Sequence, residues 1–84
     1  MPTPEIELLT KPGCHLCQTA RQTLEEVLAG YGLSYRETNI EDDPELLARH
    51  QQEIPVLLVD GQVKDFWQIN PRRLAKIIEK KLAS

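Results

Sequence analysis

Glu5-Ile-Glu-Leu-Leu-Thr-Lys-Pro-Gly-Cys-His-Leu-Cys17 puts a strand, a break and two cysteines in direct succession. The first six residues carry the apolar and β-branched content of a strand. Lys11-Pro-Gly13 ends it as a turn. From Cys14 onward the period changes. Cys17, Ala20, Leu24, Val27, Leu28 and Tyr31 recur at three- and four-residue steps, which places them on one helical face. Gln18, Arg21, Gln22, Glu25 and Glu26 fill the other face, and Gly30 and Gly32 are expected to end the helix. The cysteines therefore open a helix that directly follows a strand.

That placement is chemically useful. The thiolate, not the thiol, attacks disulfides. The first turn of a helix presents unpaired N–H groups and the positive end of the dipole, which favour the thiolate. A three-residue offset sets both sulfurs on one side of that turn. Cys14, at the terminus, is expected to be the more exposed, and Cys17, on the apolar stripe, to be the buried partner. Cys14 then reads as the attacking thiol and Cys17 as the resolving thiol of a Cys14–Cys17 redox disulfide. A bridge between such near neighbours hardly constrains an unfolded chain, so it is a poor structural staple. Two other readings stay open. Cys-x-x-Cys also binds zinc, but zinc normally takes four ligands. His15 lies badly placed between the cysteines, and His50 sits alone on a distant helix, so no metal site is expected in a single chain. The cysteines could also be buried and unreactive. His15 reads equally as a surface residue or as a tuning residue whose protonated ring favours the Cys14 thiolate.

Further along, Leu33 to Ile40 reads as a polar strand near a sheet edge. Asp43-Pro44 starts a short helix, with Asp as N-cap and Pro in the first turn, and Leu46, Leu47 and His50 on its inner side. Pro55-Val-Leu-Leu-Val59 is an unbroken apolar run, expected in the sheet interior. Asp60-Gly61 is a two-residue hairpin turn leading to a return strand, Gln62 to Phe66. Asn70-Pro71 starts the last helix, whose stripe is Leu74, Ile77, Ile78 and Leu82. The fold class is α/β, in the order β-α-β-α-β-β-α, with a four-stranded mixed sheet flanked by helices. The right-handed crossover of a βαβ unit is expected in its first half. Ile54-Pro55 stands at the mouth of the central strand, an awkward place for proline. A cis bond there would turn the Ile54 N–H and C=O toward the cysteines, where a substrate backbone could pair with them.

Residues 1–84 make one domain by length. Of these residues, 40% are hydrophobic and 27% charged, the balance of an ordinary globular domain. A net charge of −3 argues against nonspecific nucleic-acid binding. No apolar run approaches the ~20 residues of a membrane span. Met1-Pro-Thr-Pro-Glu-Ile-Glu7 has neither a basic n-region nor an apolar h-region, so no secretory signal is expected and the setting reads as cytoplasmic. Separately, a monomer is expected. The positive charges Arg72, Arg73, Lys76, Lys80 and Lys81 read as a solvated helix face, with an acidic partner as the alternative.

The strand, Lys11-Pro-Gly-Cys-His-Leu-Cys17, the helix, Ile54-Pro-Val-Leu-Leu-Val-Asp-Gly61 and the final helix together resemble the glutaredoxin branch of the thioredoxin superfamily. The likeness is greatest to small bacterial glutaredoxin-like proteins with a Cys-His-Leu-Cys motif, and it spans Glu5 to Leu82. It implies a thioredoxin/glutaredoxin fold and a dithiol–disulfide oxidoreductase active in cell redox homeostasis. By position Cys14 matches the nucleophile, Cys17 the resolving cysteine and Pro55 the cis-proline. Lys11 matches the lysine that pairs with a glutathione carboxylate, and Ile54 the residue whose backbone pairs with the glutathione cysteinyl unit. The departures are specific. Leu16 stands where an aromatic residue is usual, and Asp65 to Pro71 replaces the Gly-Gly-Asp segment that grips the γ-glutamyl end. No cofactor is implied beyond glutathione as a weakly bound co-substrate. The substrate is a protein or low-molecular-weight disulfide, and the reductase is not specified. Phe66 and Trp67 would pack under the last helix or else line an apolar rim. The rival functions are a binding or regulatory module with little turnover and a metal or Fe–S carrier.

Overall fold

The computed structural model describes residues 3–83. Strand β1 (Ile6–Thr10) leads into helix α1 (His15–Ala29), then β2 (Arg36–Asn39), α2 (Pro44–His50), β3 (Val56–Val59), β4 (Gln62–Phe66) and α3 (Pro71–Ala83). A single 3₁₀ turn, Ile40–Asp42, joins β2 to α2. The sheet order is β2-β1-β3-β4. β1 and β2 are parallel, as a helical crossover requires, while β3 runs antiparallel to both β1 and β4. The apolar run of β3 is thus an interior strand, with Val56, Leu57 and Val59 fully buried.

The pleat sends alternate residues to two cores. Ile6 and Leu8 of β1 join Leu57 and Val59 of β3 under α1 and α3, which contribute Ala20, Leu24, Leu28, Leu74 and Ile78. On the other face Leu9 and Val56 meet Ile40, with Leu46 and Leu47 of α2 closing over them. Helices therefore cover both faces of the sheet.

Local chemistry sets the boundaries. Asp43 Oδ1 accepts from the Glu45 and Leu46 N–H groups and caps α2. Asn70 Oδ1 does the same for α3, accepting from Arg72 and Arg73. Asp60 and Gly61 form the hairpin turn with φ of 52° and 80°. Two expectations shift. Gly30 stays right-handed at φ −68°, and it is Gly32, at φ 66°, that takes the left-handed conformation after α1. The N–H groups of Gly32 and Leu33 then bond back to the carbonyls of Ala29 and Leu28. That closure absorbs Leu33, so β2 starts at Arg36, opposite Glu7, and not at Leu33.

Candidate active site

Cys14 is the N-cap of α1, in extended backbone, and its Sγ accepts the Cys17 N–H at 3.2 Å. A helix N-terminal donor therefore points at the sulfur where a thiolate would form. Cys14 is half-buried, whereas Cys17 is 0% exposed. The two are joined in a disulfide with their Cα atoms 5.2 Å apart. Leu16, between them, is exposed. The asymmetry expected from the helical stripe is present, because residue 17 faces the sheet and residue 14 lies at the edge of the terminus.

Ile54 and Pro55 lie in the same neighbourhood. Ile54 shares the second core with Cys17, and Cys14 packs against that cluster. The Ile54–Pro55 peptide bond is cis. Among the described residues, neither the N–H nor the C=O of Ile54 has a hydrogen-bond partner, although the residue is buried. Lys11 follows β1 directly and is half-exposed, three residues before Cys14. His15 opens α1 and is exposed. His50 sits apart, its Nδ1 3.2 Å from Glu53 Oε2. Among the described residues no three His, Cys, Asp or Glu side chains converge as metal ligands.

Of the two placements open to Phe66 and Trp67, the structure takes the exposed rim. Phe66 is 43% and Trp67 53% exposed, so neither lies under α3. Ile69 occupies that buried place instead. The two rings meet edge to face, centroids 5.0 Å apart. With Leu16 and Gln68 they line an open groove of about 520 Å³ that reaches the cysteine loop. A cleft of similar volume, lined in part by Pro4, Leu33 and Gly61, lies at the other end of β1, away from the sulfurs.

The sequence reading missed two residues that hold the surrounding elements together. Asp65 is buried, and its carboxylate accepts the Phe66 and Asn70 N–H groups at 2.9 Å each, with Arg73 Nη1 at 3.7 Å. Its position in a strand reading Gln-Val-Lys-Asp-Phe gave no sign of burial. Glu37, on the edge strand, accepts both Arg21 Nε (2.8 Å) and Nη2 (2.7 Å) and the hydroxyl of buried Thr10 (2.9 Å). The Arg21 guanidinium holds the Glu37 carboxyl below the ordinary glutamate range; partial burial opposes this, and the Thr10 hydroxyl assists it. The network ties α1, one turn beyond Cys17, to the end of β1 and to β2.

Comparison with known proteins places this geometry. The uncharacterized protein Rv0508 of Mycobacterium tuberculosis is 29% identical over 79 residues, covering 88% of this chain and 81% of that protein. The X-ray structure of protein XcR50 from X. campestris superposes with a TM-score of 0.75 at 25% identity, covering 89% of this chain and 96% of its own. Oxidized mitochondrial thioredoxin 3 from Saccharomyces cerevisiae superposes with a TM-score of 0.66 at 17% identity, over 95% of this chain and 80% of its own, which shows a shared thioredoxin fold. The family described as Glutaredoxin-like domain (DUF836) matches residues 5–79, and the chain belongs to it.

Proposed function

We propose that the chain catalyses dithiol–disulfide exchange, with Cys14 as nucleophile and Cys17 as resolving thiol. The observation that carries this is the asymmetry at the start of α1. Cys14 Sγ is reachable and receives a helix N–H, while Cys17 is sealed beneath it. In the forward step the Cys14 thiolate attacks one sulfur of a substrate disulfide. The Cys14–substrate S–S bond forms, the substrate bond breaks, and the departing thiolate takes a proton from water. Cys17, deprotonated, then attacks Cys14 Sγ, forming the Cys14–Cys17 bond and releasing the second substrate thiol. Two electrons leave the protein dithiol and reduce one substrate disulfide. An external thiol or dithiol reductant restores the pair by the same chemistry in reverse.

Lys11 supplies one cation for a carboxylate, and the unpaired Ile54 backbone offers strand-like bonds to the substrate. Glutathione is then a weak co-substrate, since Phe66 and Trp67 stand where a grip on its γ-glutamyl end would lie. His15 adds positive charge near Cys14 when protonated. The setting proposed is the cytoplasm, where thiols are kept reduced.

The test is a redox titration of the reduced protein with thiol trapping. The expected result is loss of both thiols together, at one two-electron midpoint in the range of roughly −120 to −270 mV. Thiols that remain trapped at every potential would show a binding module instead.

A further inference from the structure

Trp67 is held in a conformation that large side chains avoid. Its φ is 62°, in the left-handed region, which costs a bulky L-residue free energy and glycine almost none. Core packing does not account for it, because the side chain stands half in solvent. What holds it is hydrogen bonding to a single neighbouring segment. The Trp67 N–H reaches the carbonyls of Pro55 (2.9 Å) and Glu53 (3.3 Å), and the indole Nε1–H reaches that of Gln52 (2.9 Å). Asp65 anchors the loop from the other side through Phe66 and Asn70. An exposed aromatic ring is thus fixed in one orientation and tied to the residues on either side of Ile54.

The surroundings of that ring say what would sit on it. Four large hydrophobic residues are exposed among those described, and three of them, Leu16, Phe66 and Trp67, line one groove. Its fourth lining residue, Gln68, is also uncharged. A tripeptide bearing two carboxylates finds no countercharge in such a groove. An apolar side chain finds an apolar platform there, beginning at Leu16, directly before the second cysteine. The unpaired backbone of Ile54 calls for an extended chain beside it, because a buried unpaired N–H or C=O is costly until something bonds to it.

We propose that Trp67 is the substrate-selecting residue. It seats the large apolar side chain next to the reacting cysteine of an extended polypeptide disulfide, and it holds Ile54 where that polypeptide's backbone pairs. This rests on the exchange activity proposed above. Strain retained at an exposed position points toward such a use.

Two synthetic peptides test it. Each is disulfide-linked to mercaptoethanol, and they differ only in Phe or Ser beside the cysteine. The reduced wild-type protein should process the Phe peptide with a KM about 10-fold lower, the discrimination an apolar pocket supplies. Trp67→Gly should bring the ratio of the two kcat/KM values close to one, and Trp67→Phe should restore most of it. The thermal midpoint of Trp67→Gly should fall little, because glycine adopts this φ freely. Val63→Ser, at an exposed site outside the groove, should leave the ratio unchanged. Equal KM values in the wild type, a ratio that survives Trp67→Gly, or a lower KM for a glutathione mixed disulfide would overturn the proposal. So would sedimentation showing a wild-type dimer that Trp67→Gly dissolves, which would make the groove an interface between copies. Hydroxyethyl disulfide separates the two failures. If it oxidises the Cys14–Cys17 pair while the peptides are not distinguished, selection fails and exchange stands.

Discussion

Cys14 and Cys17 stand three positions apart, and their environments differ because one caps the helix and the other lies on its buried face. That difference followed from spacing alone, since the apolar period through Ala20, Leu24 and Leu28 already assigned Cys17 to the inside. The roles follow in turn. Cys17→Ser should leave a reactive Cys14 that alkylates faster at neutral pH than an unperturbed cysteine, and mixed disulfides with substrate should accumulate, readable by intact mass. Cys14→Ser should abolish turnover. A Cys14→Ser protein that still turned over, beside an inert Cys17→Ser protein, would reverse the assignment. Trp67 is the contrary case at this scale. No local pattern marks its ring for display, because the carbonyls that hold it belong to residues 52, 53 and 55.

At the scale of elements, caps and turns carried most of the information. Asp43, Asn70 and the Asp60–Gly61 turn act where their chemistry placed them. The segment between β4 and α3 did not follow from propensity, since it is organised by one buried carboxylate. Asp65→Ala removes the acceptor of the Phe66 and Asn70 N–H groups. Leaving a buried donor unpaired costs about 1–3 kcal/mol. The variant should lose stability by about that amount in urea titration. Its m-value should stay unchanged, because the surface exposed on unfolding is the same. The groove should loosen too, raising KM for the Phe peptide. A stable Asp65→Ala protein with an intact groove would show that other contacts fix the loop. The edge strand β2 was legible in kind but not in length, because the Gly32–Leu33 closure of α1 consumed its first residues.

Across the whole molecule, Glu37 joins three elements through Thr10 and Arg21. Its carboxyl lies below its ordinary range, with the Arg21 hydrogen bond as the main cause. The folded chain therefore binds a proton at Glu37 less readily than the unfolded chain does. The stabilisation is present above the ordinary glutamate value of ~4.3, and it is lost as pH falls through the folded value. Glu37→Gln should cost no more than about 1 kcal/mol at neutral pH, since both side chains are about one-third solvent-exposed and screened. Below about pH 4.3 the wild type should lose stability more steeply than the variant. Parallel acid limbs in thermal melts would show that Glu37 does not titrate with folding.

The sequence by itself determined the element order, the interior place of Val56–Val59, the two-faced core and the unequal cysteines. Each depends on a period or a cap whose partners lie within a few residues. Tertiary structure alone decided which groups meet across the chain: Glu37 with Thr10 and Arg21, Asp65 with Asn70 and Arg73, and Trp67 with residues 52, 53 and 55. The same distinction separates Ile69 from its neighbours. A run of apolar residues tells that one of them will be buried. Which one is set by the carboxylate and carbonyls that fix the loop, so Ile69 enters the core while Phe66 and Trp67 stay at the surface.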